Sequence, residues 1–149
     1  MPSPWEELPG ILKSVLDLVV PQIKEPLREY YQIRREISST FLAASPIIFN
    51  FTVEERSEEV SESCIKLDAL ARKLGAWPDS IPRSSFWILR CCRLVRSRKE
   101  LDEGWHLLLR ISNVARIPQK KEVFWMRCLH DDSLRAQQLL DLNLGMKEK

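Results

Sequence analysis

The sequence predicts an all-α protein, a single compact helical bundle of about five to seven helices spanning residues 1–149. Three observations predict it. Only four glycines occur in 149 residues, so few positions favour the open backbone that glycine allows. Leu, Arg, Glu, Lys and Ala, all good helix formers, are common. The alternation of apolar and polar residues that marks a half-buried strand is nearly absent, whereas apolar residues three and four apart recur along the chain. At this length folding buries roughly 68 to 70% of the surface of the unfolded chain, enough for one core without cross-links.

The first element is a helix over 11–20, bounded by Pro9-Gly10 and Pro21. Lys13, Ser14 and Asp17 form a narrow polar strip on it, and the rest is Ile, Leu and Val, so this helix is buried on most sides or meets a partner or a membrane. Residues 1–26 therefore read as a hydrophobic N-terminal segment. Trp5, Ile11, Leu12, Val15, Leu16 and Val19 are its candidate contact residues, with burial in the bundle itself as the plain alternative. A second helix begins with Pro26 in its first turn, carries Leu27, Tyr30, Tyr31, Ile37, Phe41 and Ala44 on its apolar side, and ends at Pro46. PIIFNF after it reads as a buried connector.

Thr52 and Glu55 have the spacing of a capping box, which satisfies two amides at a helix start. The helix that follows holds Val53, Val60, Cys64, Leu67, Ala71 and Leu74 at the spacing of a packing seam, and Gly75 stands where a left-handed C-cap would. AWPDSIPR is then a packed turn. A helix over 84–97 starts at Ser84 or Ser85, and a second capping box at Ser97 and Glu100 starts another through Leu101, Trp105, Leu108, Ile111 and Ala115, which Pro118 stops. The last two helices cover 120–130 and 133–143, with Asp131 or Asp132 capping the second and Gly145 closing it. Residues 146–149 form a frayed tail.

The net charge of +2 hides a strong asymmetry. Residues 1–82 carry 9 basic and 13 acidic side chains, 83–127 carry 11 and 4, and the remainder 3 and 4. A basic middle attracts phosphates, acidic protein surfaces and anionic lipid alike. On a helix over 84–97, Trp87, Ile88, Cys91, Leu94 and Val95 share one side, while Arg83, Arg90 and Arg93 fall on the other. Arg96 lies at the edge, Arg98 and Lys99 extend the charge, and Arg110, Arg116, Lys120 and Lys121 widen it if the next helix packs alongside. The plain alternative is a solvated face, or one paired with the acidic run Glu54 to Glu62.

Chemistry finds less support. Cys64, Cys91, Cys92, Cys128, His106 and His130 are the soft ligands available, but no CxxC pair occurs, and neighbouring helical cysteines point about 100 degrees apart, away from one shared ion or one disulfide. Cys64 falls inside a packing seam. Glu103 and His106 make a single Glu-x-x-His unit where a di-iron bundle needs two. No arginine precedes either histidine with four to six residues between them, as a small helical nuclease would require, and no phosphate-binding glycine loop, GxSxG or HExxH appears. No motif ties the chain to a known family. No metal, cofactor or small-molecule substrate is expected, and no enzymatic activity, although carboxylates distant in sequence can converge in space.

MPSPWEELPG lacks the basic region and cleavage site of a secretory signal, the longest apolar run is half a bilayer span, and the cysteines are few, so a reducing, cytoplasmic setting is expected, with a peripheral membrane position as a variant. The expected function is that of a non-enzymatic assembly or adaptor subunit working through its arginine-rich face, with a protein partner or self-association. The alternatives are a nucleic-acid-binding accessory subunit that grips backbone phosphates and a peripheral membrane protein that uses its N-terminal helix.

Overall fold

The computed structural model describes residues 10–48, 57–116 and 123–146. Among these described residues it is an all-helical bundle of five helices: α1 (Gly10–Ile48), α2 (Ser57–Ser80), α3 (Arg83–Cys91), α4 (Arg98–Ala115) and α5 (Val123–Leu140). The all-α expectation and the helix number both hold. α2 packs on α1 and α4, α4 packs on α5, and short α3 fits against α1 and α2. A single cluster of buried side chains draws on all five helices. It includes Tyr30, Ile33, Ile37 and Phe41 of α1, Leu67, Leu74 and Trp77 of α2, Leu89 of α3, Leu108 and Ile111 of α4 and Leu129 of α5.

Several boundaries differ from the sequence expectation, and proline accounts for the largest difference. α1 is one helix of 39 residues that passes through Pro21, Pro26 and Pro46. An internal proline removes one backbone bond and crowds the preceding turn. Here Ile23, Leu27, Tyr30, Ile33, Ile37, Phe41 and Ala44 keep an unbroken three-and-four spacing across Pro26 and all join the core, so tertiary packing holds the helix together. The Pro26 carbonyl also accepts from the Trp77 indole at 3.2 Å. Upstream of Ile23, Asp17, Leu18, Val20, Pro21 and Gln22 are exposed and Val19 is half-buried.

α2 likewise runs past Gly75 and through Pro78 to Ser80, which puts Trp77 in a helix rather than a linker. Trp77 is buried between Tyr30, at 4.8 Å between ring centroids, and Phe86, at 6.1 Å. Gly75 is not a C-cap. It stands where the ring of Trp105 crosses, and a Cβ there would lie 2.7 Å from Trp105 Cδ2. Gly104 does the same for α5, since a Cβ would overlap the Leu140 side chain. The capping residues Thr52 and Glu55 lie outside the described residues, as do Phe49, Asn50, Phe51 and Pro118; Pro46, Ile47 and Ile48 continue α1 instead of forming a connector.

The Ser97 capping box forms as expected: the Glu100 amide donates to Ser97 Oγ at 3.2 Å, and the Ser97 amide donates to Glu100 Oε2 at 2.8 Å. α5 is continuous through Asp131 and Asp132, so neither caps a helix. It ends at Leu140, with Asp141 in the left-handed region (φ 51) and the Leu142 amide donating back to Gln137 O at 3.0 Å. The irregular segment that follows buries Leu142 and Leu144. The Gln137 side chain holds it, Oε1 accepting from the Leu144 and Met146 amides and Nε2 donating to Met146 O, each at 3.1 Å. Met146 is thus tied down and half-buried, where the sequence suggested fraying; 147–149 lie outside the described residues.

Candidate functional site: an arginine and tyrosine cleft

The basic stripe expected on one helix over 84–97 is divided by a turn. α3 ends at Cys91, the Arg93 amide donates to Arg90 O and the Leu94 amide to Leu89 O, both at 3.0 Å, and Arg93 takes the left-handed conformation with φ 56. These two bonds make a Schellman motif, with arginine where glycine is usual. After the turn the chain bends at Leu94 and Val95 and stays non-helical to Ser97, so Arg93 and Arg96 no longer share a helical face with Arg90.

The turn lies over α1 and encloses a concavity of about 360 Å³ lined by Tyr30, Tyr31, Arg34, Arg90, Arg93, Leu94, Val95, Arg96 and Asp141. Two hydroxyl contacts seat it: Tyr31 donates to Leu94 O at 3.2 Å, and Tyr30 Oη accepts from the Arg96 amide at 3.5 Å. Burial pushes the Tyr30 phenol up, and nearby Arg34 opposes the shift. The Arg34 guanidinium sits 5.4 Å from the Tyr30 ring centroid and 5.5 Å from that of Tyr31, both within cation–π range. It also donates to the Asp141 carbonyl and lies 3.3 Å from the Asp141 carboxylate.

Arg96 pairs with Glu100 at 3.7 Å. Hydrogen bonds from Ser97 hold the Glu100 carboxyl below its ordinary range, with Arg96 and Arg90 adding to the effect. Arg90 and Arg93 are exposed and have no ion pair among the described residues. The cleft therefore combines two arginines held by in-chain carboxylates with two that are not.

The other expected basic residues are distributed differently. Arg98 pairs with Asp79, Arg116 with Asp68 at 2.8 Å, and Arg110 makes a two-pronged contact with buried Asp132. That contact pushes the Arg110 pKa up. Arg83 and Lys99 are exposed without an ion pair among the described residues. Lys120, Lys121 and Trp5 lie outside the described residues. Ile11, Leu12, Val15 and Leu16 are in α1, but their side chains are not described. Glu58 and Glu62 of the acidic run are exposed, and among the described residues the carboxylates that pair with these basic residues are Asp68, Asp79, Glu100 and Asp132; Glu54 and Glu55 lie outside the described residues, and the Glu59 side chain is not described.

Two larger depressions carry less usable charge. One of about 540 Å³ lies between Pro21–Gln32 of α1 and the Ser80–Pro82 corner. The other, about 430 Å³, is lined by Glu103, His106, Leu107, Arg110 and Arg135, but Arg110 is held by Asp132 and Arg135 by Glu103. His106 stacks on Trp105 at 3.8 Å, and its Nδ1 lies 2.6 Å from Asp102 O. Cys91 and Cys92 are exposed, Cys128 is half-buried and Cys64 is buried, its thiol pKa raised by that burial. Among the described residues no three of His, Cys, Asp and Glu gather as a metal-ligand set, and no helix is long and apolar enough to cross a membrane. No family model, curated protein or solved structure matches the chain.

Sequence reasoning missed Tyr30, Tyr31, Arg34 and Asp141 as site residues. The Tyr-Tyr-x-x-Arg spacing was available as a cation–π signal on one helix face. Asp141 carried no signal, because it reaches Arg34 from 107 residues away.

Proposed function

We propose that the protein is a non-enzymatic adaptor or assembly subunit that binds an anionic segment of a partner protein in the cleft between α1 and the α3–α4 turn. The observation that carries this reading is the pair Arg90 and Arg93: exposed, beside a shaped concavity, and without an ion pair among the described residues. Such groups take a ligand without first giving up an in-chain ion pair, and a fork of guanidinium donors suits a carboxylate or phosphoryl group. Trp87, 67% exposed on α3, supplies the kind of aromatic anchor that dominates protein interfaces.

A nucleic-acid accessory role has less support. Tracking a backbone needs a row of free cations that each neutralise one phosphate, and Arg98, Arg110 and Arg116 are engaged by Asp79, Asp132 and Asp68. The test is fluorescence-anisotropy binding of acidic and phosphorylated peptide pools to the full chain. Arg90→Ala combined with Arg93→Gly lowers affinity at least tenfold, while Arg83→Ala with Lys99→Ala changes it less than twofold. Equal loss in both variants, or binding only to polynucleotide with a steep salt dependence, rejects the reading.

A further inference from the structure

We infer that the group the cleft takes is a phosphomonoester dianion, presented as a phosphorylated side chain of a partner protein. This inference rests on the reading of the cleft as the partner-binding site. The charge balance is its first support. Four guanidiniums, those of Arg34, Arg90, Arg93 and Arg96, face two in-chain carboxylates, Asp141 and Glu100, which leaves a formal charge of +2. A phosphorylated side chain carries about −1.5 to −2 at neutral pH and three strong acceptor oxygens. A carboxylate or a phosphodiester brings −1 and leaves one of the two unpaired arginines unanswered.

Geometry is the second support. Arg34 is already oriented by the rings of Tyr30 and Tyr31 and already holds one carboxylate, that of Asp141. A monoanionic ligand at Arg34 would merely exchange one carboxylate-like contact for another. A phosphoryl group with three oxygens reaches Arg90 or Arg93 as well, so it gains contacts that the free protein lacks. The Asp141 side chain is 73% exposed and can yield to the ligand without being buried alone. The cleft is also compact, about 360 Å³, and suits one charged group better than a run of them.

The experiment is an NMR titration of the full chain with methyl phosphate, dimethyl phosphate and acetate at neutral pH, followed by anisotropy with a phosphoserine peptide, its glutamate counterpart, a single-stranded oligonucleotide lacking a terminal phosphate, and vesicles containing phosphatidic acid. Methyl phosphate binds at least tenfold tighter than dimethyl phosphate or acetate, and the phosphopeptide at least tenfold tighter than the glutamate peptide. Both preferences vanish in the variant combining Arg90→Ala and Arg93→Gly. Asp141→Asn keeps a residue that tolerates the left-handed turn, removes the in-chain competitor, and tightens methyl phosphate about two- to fivefold, the scale of one exposed ion pair.

Anion binding that needs Arg90 and Arg93 but treats monoester, diester and acetate alike overturns the phosphomonoester inference and leaves the partner-binding reading standing. Tighter binding of the vesicles or the oligonucleotide than of the phosphopeptide overturns the partner assignment. No anion binding, or binding indifferent to Arg90 and Arg93, overturns both readings.

Discussion

Arg110 and Arg135 are 63% and 61% exposed, each reaches from its own helix to a carboxylate on the facing one, and on the surface they look alike. Their partners do not. The Asp132 side chain is 7% exposed and that of Glu103 35%. The worth of such a pair depends on the member that has lost its water: a buried carboxylate stripped of its cation is costly, whereas two groups near solvent can each be rehydrated. The α3–α4 turn supplies the third case, Arg90 and Arg93, which have no ion pair among the described residues. Across these regions the same residue type is structural, nearly neutral or free to bind, according to what lies opposite.

The largest expected effect breaks the first pair. Arg110→Ala leaves Asp132 buried without its cation and destabilises the fold by about 3 kcal/mol, measured as a lower urea midpoint, whereas Arg135→Ala costs less than about 0.5 kcal/mol. Equal costs would show that burial of the carboxylate does not govern these pairs. Next in size is Gly104→Ala, whose new methyl group meets Leu140; overpacking of this kind costs about 2 kcal/mol, and combining it with Leu140→Ala recovers part of that loss.

Ser97→Ala removes the hydroxyl of the capping box and costs about 1 kcal/mol. The same variant tests a pH dependence. The folded-state pKa of Glu100 is depressed below its ordinary value of 4.5, so its contribution is present above that value and is lost as pH falls through the folded pKa. Denaturation between pH 5 and pH 2 should therefore show a shallower acid loss in Ser97→Ala than in the parent. The smallest effect belongs to Arg93→Gly. Glycine suits φ 56 but gains freedom in the unfolded chain, so stability stays within about 0.5 kcal/mol while anion binding falls, which separates the site from the fold.

Periodicity was readable wherever a helix buries one side. The seam of Cys64, Leu67, Ala71 and Leu74 and, of the next pattern, Leu101, Leu108, Ile111 and Ala115 appear in the core as expected, while Trp105 is half-buried outside it, and the Ser97 box needs only residues three apart. Breaks in the helices were not readable. Pro21, Pro26 and Pro78 are strong local stop signals, yet the helices run through them, and for Pro26 and Pro78 the residues on both sides are packed against the core. The helix that does stop, at Cys91, has neither proline nor glycine at its end, because arginine occupies the left-handed position. That one turn changed the site most. It replaced an expected stripe with a cleft and brought Arg90, Arg93 and Arg96 together around residues of α1.

The sequence by itself determined the all-helical class, the faces that would be buried and the basic character of residues 83–127, because these follow from composition and spacing within a few turns of backbone. Only the tertiary structure decided which arginines are free. Coulomb pairing depends on distances through space, and Asp68, Asp79, Asp132 and Asp141 reach Arg116, Arg98, Arg110 and Arg34 across 19 to 107 residues of chain, a separation that no local pattern encodes.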